Sequence, residues 1–346
     1  MGTAGVPRWG AGPRAPLWAR LCVGIGAFLL LISGGGLVGG RLLLDRYEAS
    51  VRRADLLPDG TARDARPGGV QGPLNLLLVG SDLRQGLENE VWRSDTIMIV
   101  HVNDRLDRAY VLSIPRDLQV RIPRCIEAPD GCVDKINAAF AFGGVGPPFD
   151  PVRGYQLLAE TVRDLTGLRF DAAGIVDFTG FTRLVGALGG VRMCVDVETT
   201  SIHSGMTWEP GCQDFNEHAA LDYIRQREYP DGDVTRQRHQ QQFVKAVLQQ
   251  ALARGVLSDP GRLDRLIRTA GQSLTIASPY PTSALFLALR GIRPENITLL
   301  QLPATSDWID GIAYAEPVAR TEPMFAALRE DRLDRYLIDN PDVVNR

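Results

Sequence analysis

Residues 74–84 read LNLLLVGSDLR, an apolar run from Leu74 to Val79 that stops at Gly80 and a polar turn. A short apolar run closed by turn residues fits a strand buried on both faces of a sheet. Two more such runs follow, Thr96 to Val102 (TIMIVHV) and Ala109 to Ile114 (AYVLSI). The polar stretch Asn103 to Arg108 (NDRLDR) between them predicts a turn, so these two strands are expected to form a hairpin. Further out, residues 151–166 carry helical periodicity, with Pro151 in the first turn and Gly167 after the last. A strand over 173–178, a short helix over 179–188, a strand over 191–197 and helices over 217–227 and 235–254 follow. Strands alternating with helices predict a layered α/β domain that begins near Pro73. Its main body is 73–254. Residues 255–346, with helices over 261–274 and 281–291, a strand at 297–302 and a polar tail, are expected to complete it.

Upstream, Leu21 to Gly40 (LCVGIGAFLLLISGGGLVGG) holds 20 residues without a charge. At about 1.5 Å per residue it would span roughly 30 Å, the thickness of a bilayer core. Arg8, Arg14 and Arg20 precede it with no acid, whereas Asp45 and Glu48 accompany the arginines that follow. The positive-inside bias predicts a single-pass transmembrane helix at 21–40, with 1–20 a cytoplasmic tail, 41–72 a juxtamembrane connector and the rest outside the cell. The alternative, a cleaved signal peptide, has an apolar core of only about 7–15 residues and a small-residue cleavage site, which is not evident here.

Cys22 falls in the apolar segment, leaving Cys125, Cys132, Cys194 and Cys212. Four cysteines allow three pairings, and proximity favours Cys125–Cys132 with Cys194–Cys212. A zinc site is the alternative, but no C-x2-C pair or suitably spaced histidine accompanies them. Net charge is −3 over 346 residues, so no global field favours nucleic acid, and any anion site must come from clustered basic residues.

Such clusters exist. Gly80-Ser81-Asp82-Leu83-Arg84, Arg93-Ser94-Asp95-Thr96 and Pro115-Arg116-Asp117 flank the three apolar runs, at ends that adjacent antiparallel strands bring to one sheet edge. A fourth, YIRQREYPDGDVTRQRHQQQ at 223–242, places Arg236 and Gln240 four apart on a helix face. A guanidinium fork matches a phosphate, and several arginines imply a multiply charged anion. Carboxylates among them suit Mg²⁺, which binds hard oxygens together with substrate phosphates, or proton removal from a hydroxyl. Asp82 and Asp95 are the metal candidates, and Asp117 or Asp233 the candidate bases. Lys135 and Asn137 are candidate polar ligand contacts. No P-loop, nucleophile elbow or supported Ser/His pair is present, and none of the four histidines is expected to act as general base.

Taken in order, LLLVGSDLR, RSDTIMIVHVN, VLSIPRDLQV, KINAAF with GG, DFTGFTRLVGALGGV, ALDYIRQR and GDVTRQRHQQQF resemble the LytR-CpsA-Psr family of cell-wall glycopolymer transferases over about residues 73–250. The resemblance implies a central mixed β-sheet sandwiched between α-helices, with a long apolar pocket for a polyprenyl chain. It implies Mg²⁺ held at a pyrophosphate by Asp82 and Asp95, and phosphate contacts from Arg93, Arg116, Arg225, Arg227, Arg236 and Gln240. The implied catalytic set is Asp82, Asp95, Arg116, Arg225, Arg227 and Arg236. The implied reaction moves a glycan phosphate from a polyprenyl-pyrophosphate carrier to a peptidoglycan hydroxyl. Two positions depart from the pattern: Glu217 stands where glycine is usual, and His239 where arginine is frequent. A hydrolase using water on the same site, and a non-catalytic receptor for lipid-linked glycan, are the rival readings. Retention of the acids alongside the arginines favours catalysis.

Overall fold

The computed structural model describes residues 48, 49, 51–81, 92–226, 228, 229, 233–253 and 260–345. Within it, Leu74–Ser81 is a central strand, antiparallel to Ser94–Val102 on one side and parallel to Ala172–Asp177 on the other. Ser94–Val102 pairs in turn with Ala109–Ile114, antiparallel, as the expected hairpin. The described sheet runs Arg52–Arg53, Leu274–Ala277, Ala172–Asp177, Leu74–Ser81, Ser94–Val102, Ala109–Ile114, Ile297–Gln301, Val344–Asn345, and it mixes parallel with antiparallel pairs.

Both faces of this sheet are covered, which is why its strands read as unbroken apolar runs. Leu77, Val79, Ile97, Ile99 and Leu112 face a core completed by Phe140, Tyr155, Leu158 and Phe325. Their neighbours Leu74, Met98, Val102 and Val111 point the other way, toward Val244 and Leu289. Helices Ile136–Gly144, Pro151–Thr166 and Thr321–Arg329 thus lie on one side and Asp233–Ala253 and Thr282–Leu289 on the other. Each fully buried aliphatic or aromatic side chain contributes about 1.5–3 kcal/mol.

Helix Pro151–Thr166 has the predicted limits, and its caps explain them. Asp150 Oδ1 accepts hydrogen bonds from the backbone of Val152 at 2.9 Å and Arg153 at 3.2 Å. Gly167 ends the helix in the left-handed region, at φ 69°. Both disulfides have the favoured pairing, Cys125–Cys132 and Cys194–Cys212. The second crosses two facing residues of an antiparallel pair, Val191–Val195 with Gly211–Phe215.

That pair corrects the expectation for 191–197. The strand ends at Val195 and belongs to a separate two-stranded sheet over a satellite core of Val185, Met193, Trp208, Phe215, Tyr223 and Phe243. Helix 217–227 stops at Arg225 because Gln226 turns extended and ties its amide to Ser201 and Asp222. The expected polar tail is structured. It forms a hairpin, Ala304–Ile309 with Ile312–Pro317, then helices Thr321–Arg329 and Leu333–Asp339, burying Met324, Phe325, Leu328 and Leu333. Apolar residues spaced at 324, 325 and 328 give one helical face that the surrounding charges hide. The expected transmembrane helix at 21–40 lies outside the described residues, and no helix among those described is long and apolar enough to cross a membrane.

Candidate active site

The carboxyl ends of Leu74–Ser81, Ala109–Ile114 and Ala172–Asp177 and the amino end of Ser94–Val102 share one sheet edge. A cavity of about 350 Å³ opens there, between the sheet and the helices Phe178–Leu188, Glu217–Arg225 and Asp233–Ala253. Its depth is apolar: Leu78, Met98 and Val176 from the sheet meet Phe181, Ile224, Phe243 and Val244 from the helices. Phe181 and Phe243 stack with ring centres 4.2 Å apart. Ser81, Asp95, Asp177, Arg225, Arg236 and Gln240 make it polar.

Asp95 reaches this cavity through a β-bulge. The strand register passes from Gly80 opposite Thr96 to Ser81 opposite Ser94, leaving Asp95 as the extra residue. A bulge bends its strand and re-aims the side chain it carries. Gly80 permits the close approach, since a Cβ there would lie 3.0 Å from Thr96 Cβ. The bulged carboxylate is held from the neighbouring strand's end: Arg116 Nη1 donates to Asp95 Oδ1 at 2.7 Å. Arg116 also lies 3.6 Å from Asp117 Oδ2 through Nε, and Lys135 Nζ reaches Asp117 Oδ1 at 2.9 Å.

The glutamine-rich helix divides its residues by direction. Arg236 and Gln240, one turn apart, both line the cavity. Arg236 is almost fully buried and its Nη2 donates to the Asp95 carbonyl at 3.5 Å. Gln241 turns to the sheet, where Nε2 donates to Ser113 Oγ at 2.7 Å and Leu300 O at 2.6 Å. Gln242 Nε2 donates to Cys194 O at 3.0 Å on the disulfide-bonded strand.

The structure therefore brings Asp95, Arg225, Arg236 and Gln240 to one cavity, with Arg116 one contact away. Arg93 is exposed beside them and contributes its carbonyl to Ser81 Oγ, at 3.3 Å. Asp82, Arg227 and the side chain of Asp233 lie outside the described residues. Neither Lys135 nor Asn137 lines the cavity; Lys135 pairs with Asp117, and the Asn137 N–H donates to Arg116 O at 3.2 Å. Sequence reasoning missed Asp177 and His203, which line the cavity from a strand end and a distant loop. Asp177 caps a helix, Oδ1 accepting from Gly180 N at 2.6 Å, and the D-x-x-G spacing before an apolar run was its available signal.

An apolar cavity edged by arginines and a bulged aspartate suits an amphiphile with an anionic head. A family model described as the LytR_cpsA_psr family matches residues 47–329. The chain belongs to the LytR_cpsA_psr family. It is 34% identical over 271 residues to the probable cell wall biosynthesis protein LcpB of Corynebacterium glutamicum, covering 74% of this chain and 61% of that protein. The chain thus spans about three-fifths of that relative's length. It is 30% identical over 287 residues to the polyisoprenyl-teichoic acid–peptidoglycan teichoic acid transferase TagU of Halalkalibacterium halodurans, covering 81% of this chain and 84% of that one. Among solved structures, TagT bound to LIIa-WTA superposes with a TM-score of 0.61 at 23% identity, over 81% of this chain and 98% of that one, a likeness of fold.

The two departures from the LytR_cpsA_psr pattern have structural roles. Glu217 opens helix Glu217–Arg225 after the Asn216 cap, where a negative charge complements the helix dipole. His239 is buried outside the cavity lining, stacked on Tyr223 at 4.5 Å, with Nε2 3.1 Å from both Tyr223 Oη and Asp196 Oδ1. Burial pushes the Asp196 carboxyl up, but the His239 hydrogen bond and the His239 and Arg238 charges outweigh it and hold the group below the usual carboxylate range. His239 braces two helices against the outer loop.

Proposed function

We propose that this protein is a Mg²⁺-dependent phosphotransferase that moves a cell-wall glycopolymer from a polyprenyl-pyrophosphate carrier to peptidoglycan. The observation that carries the reading is the cavity itself. An apolar interior ending at Asp95, Arg225, Arg236 and Gln240 fits a lipid chain with a pyrophosphate head. The name of the Halalkalibacterium halodurans relative, with its polyisoprenyl donor and peptidoglycan acceptor, supports the same pairing.

An acceptor hydroxyl attacks the glycan-side phosphorus. The new O–P bond forms as the bridging P–O bond breaks, and polyprenyl phosphate leaves with that oxygen. Arg225, Arg236 and Arg116 place the phosphates and offset their charge, and phosphoryl transfer depends chiefly on such positioning and electrostatics. The hydroxyl proton passes to a carboxylate on the acceptor side, for which Asp117 is the described candidate. The donor type suits Mg²⁺: Asp95 offers hard carboxylate oxygen at the cavity. Asp95 together with Asp82 would hold it, and the bound ion would supply further charge neutralisation at the pyrophosphate. The chain is taken to be anchored by residues 21–40 with this domain outside the cell, and the two disulfides support an oxidising compartment.

The test is release of polyprenyl phosphate from a synthetic polyprenyl-pyrophosphate glycan, with Mg²⁺ or chelator, with or without peptidoglycan fragments. Mg²⁺-dependent release with glycan appearing on the fragments is expected. Release without attachment would show a hydrolase, and binding without release a receptor.

A further inference from the structure

His203 lines the cavity, yet no step above uses it. It sits at the tip of a small hairpin, Thr199–Thr200 with Thr207–Trp208, where residues 202–206 are all exposed. The tip is firmly held. Ser201 Oγ donates to Asp222 Oδ1 at 2.7 Å and accepts the backbone N–H groups of His203 and Ser204, each at 3.0 Å. Gln226 Oε1 accepts the Ile202 N–H at 3.1 Å, and its Nε2 donates to Asp222 Oδ1 at 2.8 Å. Asp222 lies on helix Glu217–Arg225 and Gln226 just beyond it, so the network ties His203 to the helix end that carries Arg225.

The ring itself is left open. The His203 backbone is bonded, but no described residue hydrogen bonds or pairs with its imidazole. His101 and His239, by contrast, are buried and held through their rings. Every bond that shapes the tip comes from backbone groups or from Ser201, Ser204, Asp222 and Gln226. The fold therefore does not need an imidazole at position 203, whereas a ligand in the cavity would meet one.

Position selects what that ligand group is. Arg236 is almost fully buried and stands at the inner part of the polar wall, while His203 is exposed and stands at its rim. A lipid chain in the apolar interior puts its own phosphate inward and the glycan-side phosphate toward the rim. Imidazole offers an N–H donor in either protonation state, and imidazolium makes a stronger, charge-assisted bond to phosphate oxygen. The other charged groups lining the cavity are Arg225 and Arg236 from the helices and Asp95 and Asp177 from the strand ends. Asp222, beneath the tip, has its carboxylate engaged by Ser201, Ser204 and Gln226.

We propose that His203 is a further substrate contact, whose imidazole donates to the glycan-side phosphate at the cavity rim and makes affinity for the carrier pH-dependent. This rests on the transferase reading and adds to its pyrophosphate site a ligand that the arginine and glutamine pattern does not contain. The ring takes no proton from the acceptor; it holds the phosphate that the acceptor attacks.

The test is calorimetric titration of the full-length protein in detergent micelles, in Mg²⁺ and without peptidoglycan, from about pH 5.5 to 8.5, the range in which histidine side chains change charge. The probe is a synthetic citronellyl-pyrophosphate-linked N-acetylglucosamine. As a pyrophosphate diester it keeps one charge on each phosphate throughout, so a slope belongs to the protein. Wild-type affinity is expected to fall about fivefold or more as pH rises, the difference between a charged and a neutral donor. His203→Ala should bind more weakly at the acid end and lose the slope. His203→Gln, an uncharged donor, should match wild type at the alkaline end and also lose the slope. Both variants should melt as wild type does, because the ring has no partner in the fold. A slope and affinity unchanged in His203→Ala would overturn the proposal and leave the transferase reading standing. A wild type that binds no probe at any pH would overturn both. Binding with the expected slope in a protein that never releases polyprenyl phosphate would sink the transferase reading alone.

Discussion

Arg116 Nη1 sits 2.7 Å from Asp95 Oδ1, joining the turn after one central strand to the bulge in its neighbour. The pair fixes a carboxylate that the sheet ladder has released. It also binds the cavity wall to the Asp117–Lys135 cluster beyond it.

Asp95→Asn keeps the shape and removes the charge. Release of polyprenyl phosphate is expected to fall about 100-fold or more, the usual loss when a group acting on the developing charge is removed. Arg116→Lys keeps the charge but loses the planar fork and should fall between wild type and Asp95→Asn. Stability should drop by about 1–2 kcal/mol at most, measured by urea titration. Wild-type turnover in Asp95→Asn would remove this carboxylate from the mechanism.

Gly80 lies where the bulge needs it. Gly80→Ala sets a Cβ 3.0 Å from Thr96 Cβ, tighter than ordinary contact, so Thr96 must give by a few tenths of an ångström. The expected cost is about 1–3 kcal/mol, with turnover falling further as Asp95 is displaced. Thr96→Gly removes the opposing Cβ, so the double variant should recover part of the turnover that Gly80→Ala loses. Simple additivity of the two effects in a double-mutant cycle would show that they do not meet.

Gln240 and Gln241 are neighbours with opposite duties. Gln240→Ala should lower turnover and leave the urea midpoint nearly unchanged, because its side chain faces the cavity. Gln241→Ala should do the reverse. It strips partners from Ser113 Oγ, Leu300 O and Asn345 Nδ2, a loss of about 2–4 kcal/mol. Equal effects on both measurements in both variants would contradict the assignment.

These residues also mark what the sequence makes legible. Arg236 and Gln240 can be paired in advance because helical spacing alone puts them on one face. The runs at 74–79, 96–102 and 109–114 read as strands because burial on both faces leaves no polar alternation to misread. The bulge at Asp95 leaves no local mark: it is a property of two strands in register, visible only once Gly80 meets Thr96. His203 likewise reaches the cavity on a loop set by the Ser201–Asp222–Gln226 hydrogen bonds, partners up to 25 residues apart. The C-terminal helices escaped because each is short and buries its few apolar residues among charges.

His101 makes stability pH-dependent far from the cavity. Its ring is buried, with Nε2 donating to Asp331 Oδ1 at 2.8 Å and Nδ1 2.7 Å from Asn75 Oδ1. Burial holds its pKa below 6.5, partly opposed by the hydrogen bond to and charge of Asp331. The unfolded chain therefore binds a proton that the folded one refuses. Stability is fully present above about pH 6.5 and declines as pH falls from there toward the depressed folded value. Urea titrations at pH 7.5, 6.5 and 5.5 should show the midpoint falling over the lower interval. His101→Gln should lower the midpoint at every pH while flattening that slope, since glutamine cannot titrate. A slope unchanged by the substitution would assign the titration to another group. Burial raises the Asp171 pKa above 3.8 despite the Asn75 N–H and the Arg63 and Arg66 charges, so its linkage runs upward from 3.8 and in the opposite sense. Its ionisation as pH rises costs the fold stability, so the two groups can be told apart by the direction of their slopes.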